Sequence, residues 1–171
     1  VLYDGKKIHY TLAMAGKHHA INSLAVLAVI QAAGADINQA IQVLKNITPV
    51  KGRGREIQLS APVPYTLIDD SYNASPASVK AALTVLGQKT GRKIAVLGDM
   101  LELGSQSEAL HEALAETIIR CRIDKVFTAG TLTANLHRIL PEACKGEHAD
   151  MAETLWPLLQ KELQEGDTVL V

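Results

Sequence analysis

The chain has 171 residues, 47% of them hydrophobic and 20% charged, and this balance excludes disorder and suits one packed domain or one domain plus part of another. Seventeen basic against eighteen acidic side chains give a net charge of −1, so no global field would draw nucleic acid. The longest apolar run, Leu24 to Ile30, falls far short of the roughly 20 residues that span a bilayer, and the N-terminus lacks the features of a signal peptide. The cytoplasm is therefore expected, with neither a membrane nor a nucleic acid as partner. Cys121 and Cys144 form no CxxC or Cys/His pattern, and both are expected to be structural thiols rather than metal ligands.

In chain order, Val1 to Tyr3 leads into Asp4-Gly5, a two-residue hairpin signal, and Ile8 to Leu12 follows as its second strand. His18 to Ala33 is apolar around most of its circumference and reads as a buried helix stopped by Gly34. Asp36 and Gln39 form a capping-box pair for a second helix, with Ile37, Ala40, Ile41 and Leu44 on one face. Pro49 to Arg55 then breaks the pattern. Its Pro49, Gly52 and Gly54 among Lys51, Arg53 and Arg55 read as a boundary carrying a basic loop.

From residue 56 strands and helices alternate. Tyr65 to Ile68 is a strand, and Ser75-Pro76 caps a helix that buries Val79, Ala82, Leu83 and Leu86. Lys93 to Leu97 is a strand, followed by a helix with a Ser105/Glu108 capping box and the stripe Leu110, Ala113, Leu114, Thr117, Ile118, Cys121. Lys125 to Ala129 is a strand ended by Gly130, a short helix stops at Pro141, and another helix opens at Asp150 with Glu153 three residues on. Thr168 to Val171 is the final strand. Apolar strand runs separated by amphipathic helices predict an α/β fold, Rossmann-like over 51–171, with a mainly parallel sheet covered on both faces. The chain opens on Val1 instead of Met, directly in a strand, and Thr168 to Val171 stops with no turn or cap after it, so both ends read as cut.

Ligands of an open parallel sheet bind beyond the carboxyl ends of its strands, which directs attention to two loops. In the first, Asp69-Asp70-Ser71-Tyr72-Asn73-Ala74-Ser75-Pro76, the carboxylates suit ribose hydroxyls, a cation or an ammonium group, and equally suit turn chemistry. In the second, Leu97-Gly98-Asp99-Met100-Leu101-Glu102-Leu103-Gly104, Asp99 and Glu102 read either as a working pair or as acids favouring the next helix N-terminus. Gly16-Lys17-His18-His19-Ala20-Ile21-Asn22 opens a helix whose free amides suit an anion or nucleotide. Adjacent helical residues point about 100° apart, so His18 and His19 make a poor chelate and no metal site is expected. His9, His111, His137 and His148 show no partner pattern and read as surface residues. Lys51-Gly52-Arg53-Gly54-Arg55 reads as a phosphate clamp or a solvated linker, and no GxxxxGK[ST] loop is present.

Taken in order, these segments resemble the Mur ligase family of bacterial cell-wall synthesis, along essentially the whole chain. Gly16-x-His18-x-x-x-Asn22-x-Leu24-Ala25 is similar to its GxHNxxNxLAA helix, Lys51-Gly52-Arg53 to its hinge arginine, and the two loops to DDSYNANP and LGDMxELG. His19 and Ser75 depart from that pattern, each standing where asparagine is usual. The two loop motifs point within the family to the members that join D-alanyl-D-alanine to UDP-N-acetylmuramoyl-tripeptide through an acyl phosphate, at the expense of ATP with Mg2+. Residues 1–50 would then be the tail of a central ATP-binding domain, and 51–171 most of a C-terminal domain in a monomer. The resemblance implies that His18, Asn22, Arg53, Asp70, Tyr72 and Asn73 contact nucleotide. It places Ser71, Asp99 and Glu102 in the substrate cleft, and the phosphate loop, metal ligands and catalytic residues upstream of Val1. The alternatives are a stand-alone Rossmann-like nucleotide-binding module, which the missing phosphate loop would suit, and a sibling that extends folate with glutamate.

Overall fold

The computed structural model describes Leu2, Tyr3 and residues 6–171, with side chains from Lys7 onward. The expected Asp4-Gly5 turn lies outside the described residues. The chain divides into two compact units, Val1–Pro49 and Val50–Val171. Among the described residues no helix is long and apolar enough to cross a membrane.

In the first unit, β1 (Leu2–Tyr3) pairs antiparallel with β2 (Lys6–Lys7). The strand expected over Ile8 to Leu12 is not formed. Ile8, Tyr10 and Leu12 do alternate inward, onto a core of Leu27, Ile37 and Leu44. Among the described residues, 8–12 join no strand of either sheet. Helices α1 (Lys17–Ala32) and α2 (Ile37–Leu44) complete the unit. Gly34 ends α1 in the left-handed region at φ 71°, with its amide on the Gln31 carbonyl. The expected burial of α1 is not met. Only Ser23 and Leu27 are buried, while Val29 is 69% and Ile21 55% exposed. Within the unit a single helix and one extended segment pack on α1, enough to cover one face of it. The Asp36 carboxylate caps α2 by accepting from the Asn38 amide at 2.8 Å, and the Gln39 half of the expected box is not made.

The second unit is a six-stranded sheet in the order β3-β4-β8-β5-β6-β7. Its strands are β3 (Arg55–Leu59), β4 (Tyr65–Asp69), β5 (Lys93–Gly98), β6 (Lys125–Ala129), β7 (Lys145–Ala149) and β8 (Thr168–Leu170). β3 runs antiparallel to β4 and every other pairing is parallel. The short terminal strand β8 lies in the middle, all three of its residues buried. Edge strands β3 and β7 escape the sequence reading because Arg-Glu-Ile-Gln-Leu and Lys-Gly-Glu-His-Ala lack an apolar run. Charged, weakly β-forming residues are what an unpaired edge tolerates.

Side chains alternate across the sheet, so each strand feeds both faces. Ala95, Val126 and Leu170 face a core with Leu83 and Leu86 of α3 (Pro76–Gly87), Leu114 and Ile118 of α5 (Leu114–Arg120), and Leu136 of α6 (Thr133–Ile139). Ile94, Phe127 and Val169 face Leu155 and Leu159 of α7 (Ala152–Glu162), which packs on the other face. Cys121 and Cys144 are free, half-buried thiols packed on the first core. Ser75 and Ser78 form a reciprocal capping box at α3, with Pro76 in its first turn. The expected Ser105/Glu108 box does not form. The chain enters α4 (Ser107–Glu112) through a 3-10 turn over Gly104–Gln106, which puts Ser105 inside the turn instead of at the cap. The expected single helix after it is broken at Ala113, between α4 and α5. α7 starts from Met151, not Asp150, with no side-chain cap, because β7 runs to Ala149 and leaves no room for an earlier start.

Candidate functional site

β4, β8 and β5 are parallel neighbours, so their carboxyl ends open on one edge of the sheet. There the loop after β4, the loop after β5 and Val171 bound a cleft of about 430 Å³. Asp70, Ser71, Asn73 and Asp99 line it with polar groups, and Val79 and Leu97 are among its apolar lining. Two loops picked out separately in the sequence thus face one space.

Of the two carboxylates in the first loop, Asp69 is built into the structure. It is 9% exposed, and its Oδ2 accepts from the Gly52 amide at 3.0 Å while Oδ1 accepts from the Ser71 hydroxyl at 2.6 Å and the Ser71 amide at 3.4 Å. The Ser71 hydroxyl chiefly holds the Asp69 carboxyl below the usual range. Burial opposes this, and the Gly52 and Ser71 amides and the Lys51 charge support it. Two backbone bonds extend the clamp, from Gly54 to the Asp69 carbonyl at 2.8 Å and from Tyr72 to the Gly52 carbonyl at 3.1 Å. Gly52 has φ 76°, and an added Cβ would stand 3.0 Å from that of Tyr72, so glycine is required here. The clamp sets the Arg53 guanidinium 4.2 Å above the Tyr72 ring. Tyr72 is 70% exposed, leaving a flat cationic and aromatic surface open to solvent beside the loop. Asp70 follows β4 with its amide on the Val171 carbonyl at 2.8 Å, and Asn73 caps the amide of Ala74 at 3.0 Å.

In the second loop, Asp99 and Glu102 do not form a pair. The Asp99 carboxylate accepts from the Thr133 amide at 2.8 Å and the Leu132 amide at 3.1 Å, at the start of α6. Burial pushes its carboxyl up, but the Thr133 and Leu132 amides, with the Thr133 hydroxyl, outweigh burial and hold it below the ordinary value. Gly130 makes room for it, since a Cβ there would stand 2.4 Å from the carboxylate carbon. Glu102 is exposed, sits in the left-handed region at φ 62°, and does not line the cleft.

The histidines depart from the surface expectation. His9 alone is exposed. His111 is fully buried, with Nε2 accepting from the Met100 amide at 2.8 Å and Nδ1 donating to the Ser107 carbonyl at 2.6 Å. His148 pairs through Nδ1 with the Thr128 hydroxyl at 2.9 Å, and His137 through Nε2 with the Gly146 carbonyl at 3.1 Å. A signal for His111 was present. His111, Leu114, Ala115 and Ile118 repeat at i, i+3, i+4 and i+7, which puts the imidazole on the buried stripe.

In the first unit, His18 and His19 are half-buried and their rings lean together, with centroids 3.9 Å apart at 47°, despite the helical angle between them. Burial, then the neighbouring His18, lowers the pKa of His19. Asn22 is exposed one turn on. Among the described residues no three His, Cys, Asp or Glu side chains converge as a metal site.

Residues 52–171 match the family described as Mur ligase, glutamate ligase domain. The chain is 37% identical over 137 residues to the UDP-N-acetylmuramoyl-tripeptide–D-alanyl-D-alanine ligase of Escherichia coli K12, a match covering 80% of this chain and 29% of the relative. It superposes with a TM-score of 0.78 and 29% identity on MurF from Acinetobacter baumannii, covering 94% of this chain and 35% of that one. MurF from Thermotoga maritima, solved in complex with ADP, gives 0.77 and 26%, covering 92% and 35%. The chain therefore spans about a third of the length of the proteins it matches. With the family domain matched over most of its length, and with both loop motifs meeting at one cleft, the chain belongs to the Mur ligase family.

Proposed function

We propose that this chain is the carboxyl-terminal part of an ATP-dependent amide ligase that joins D-alanyl-D-alanine to UDP-N-acetylmuramoyl-tripeptide. The observation that carries the reading is the convergence of the Asp69–Pro76 and Leu97–Gly104 loops on a single cleft at the carboxyl edge of the sheet. The names of the relatives support the substrates, and the ADP complex of one structural neighbour supports the nucleotide.

In this reading Arg53 and Tyr72 offer the nucleotide a stacking and phosphate-directed surface, held beside the first cleft loop by the Asp69–Gly52 clamp. Asp70 and Asn73 take the ribose side, Ser71 and Asp99 face the substrates, and Glu102 stands on the outer part of the same loop. His18 and Asn22 serve the adenine side from residues 1–50, which would be the tail of a central ATP-binding domain. The described residues bring together no donor set that fits Mg2+, so the metal ligands are assigned to the rest of the protein and no step is derived through the metal. What this segment supplies is positioning and dryness. Activation of the tripeptide carboxylate as an acyl phosphate succeeds only if water is excluded until the dipeptide amine attacks, and an apolar cleft beneath two polar loops suits that task. The protein would act as a cytoplasmic monomer, without nucleic acid or membrane.

The test is phosphate release by the full-length protein containing this segment, given ATP, UDP-N-acetylmuramoyl-tripeptide and D-alanyl-D-alanine. Release that requires all three is expected. Release that ignores the dipeptide, or none with a folded protein, would refute the reading.

A further inference from the structure

His111 is fully buried, on the same helical stripe as Leu114 and Ile118 of the apolar core, and a buried ring with two polar nitrogens needs partners for both. Both nitrogens are engaged. Because the Met100 amide donates to Nε2 and the Ser107 carbonyl can only accept, the network assigns a neutral ring with its proton on Nδ1. The ring therefore spans the loop from Met100 to the first turn of α4, bypassing the left-handed residues Glu102 and Gly104. The Met100 amide belongs to the peptide that leaves Asp99. Its orientation sets where the Asp99 side chain emerges toward the amides of Leu132 and Thr133. Met100 itself is only 1% exposed, so this peptide has no water to replace the imidazole.

We infer that His111 is a positioning residue for the ligation reaction: through the Met100 amide it fixes the Gly98–Leu101 wall of the cleft against which the dipeptide is held. The inference rests on the function proposed above. It concerns one acceptor atom, Nε2, and this makes it separable from mere core filling. Glutamine places its amide where Nε2 stands and can still accept from Met100, whereas asparagine places its amide where Nδ1 stands and reaches only toward Ser107.

The experiment compares His111→Gln and His111→Asn in the full-length protein by steady-state kinetics, thermal unfolding and hydrogen exchange of the 98–104 peptide. His111→Gln should keep kcat/KM for the dipeptide within about threefold of the unsubstituted protein. His111→Asn should lose about 30-fold, because displacement of a site wall by about 1 Å costs rate on that order. KM for ATP should change by less than about threefold in both, since the nucleotide surface hangs on the separate Asp69 clamp. Exchange in 98–104 should accelerate in His111→Asn and not in His111→Gln. Parallel losses in the two variants that track their melting temperatures would overturn the inference, as would full activity or unchanged exchange in His111→Asn. If the unsubstituted protein ligates no dipeptide, the proposed function fails by itself. The exchange comparison then decides the His111 claim, with faster exchange confined to His111→Asn upholding the Met100 contact and equal exchange overturning it.

Discussion

Asp69→Ala should unfasten the loop pair that carries the Arg53 and Tyr72 surface proposed for the nucleotide. The substitution removes both oxygens that receive the Gly52 amide, the Ser71 hydroxyl and the Ser71 amide. Gly52 is buried, so its amide loses its partner without gaining water, at a cost of about 1–3 kcal/mol, and the short charge-assisted bond from Ser71 contributes about 1.5 kcal/mol more. The sum, about 3 kcal/mol, corresponds to a fall of roughly 10 °C in the melting temperature of a domain of this size. Asp69→Asn should cost about half as much, because its oxygen can serve Gly52 while the Ser71 hydroxyl turns to accept from the new amide. A pH series adds a sign. The folded-state carboxyl is held below its ordinary value, chiefly by the Ser71 hydroxyl, so its stabilisation is complete above about pH 5 and is lost as pH falls through the folded value. The gap between the unsubstituted protein and Asp69→Asn should therefore narrow from pH 7 to pH 3. Calorimetry across that range is the assay. An Asp69→Ala melting temperature within 1–2 °C of the original, or a gap that widens toward acid, would refute this reasoning.

Gly130→Ala should cost about 2–4 kcal/mol in urea unfolding, since its Cβ would meet a carboxylate held by two amides at a residue with φ 117°. An unchanged urea midpoint would mean that Asp99 is free to move. Arg53→Ala should change the stability of the second unit by less than about 1 kcal/mol, because its contact with the exposed Tyr72 ring is solvated. If Arg53 meets the nucleotide as proposed, the same substitution in the full-length protein should raise KM for ATP about tenfold, the loss of one charge-assisted contact. Equal nucleotide affinity in the two proteins would remove Arg53 from the site.

Local chemistry was legible in the sequence, and long-range partnership was not. Ser75-Pro76 announced the start of α3 because a cap involves only the neighbouring turn. The apolar runs of β4, β5, β6 and β8 announced a parallel sheet because such strands are buried on both faces. Edge strand β7 carried no such signal. The adjacent carboxylates Asp69 and Asp70 look alike in sequence. Only the fold shows that Asp69 is held by Gly52, 17 residues away, while Asp70 lines the cleft. Asp99 likewise read as an acid for the helix that follows it, or as a partner for Glu102. Its actual partners are the amides at the start of α6, more than 30 residues on. α1 misled for a related reason, since apolar composition records what a helix can bury and not what is present to cover it.

The most direct test of the central proposal is the mass of the product formed by the full-length protein from UDP-N-acetylmuramoyl-tripeptide and ATP, with D-alanyl-D-alanine and glutamate offered together as acceptors. The expected result is a single product, heavier by one D-alanyl-D-alanine less one water, formed with one ADP per product. A glutamate adduct, or ADP released with the tripeptide unchanged, would contradict it.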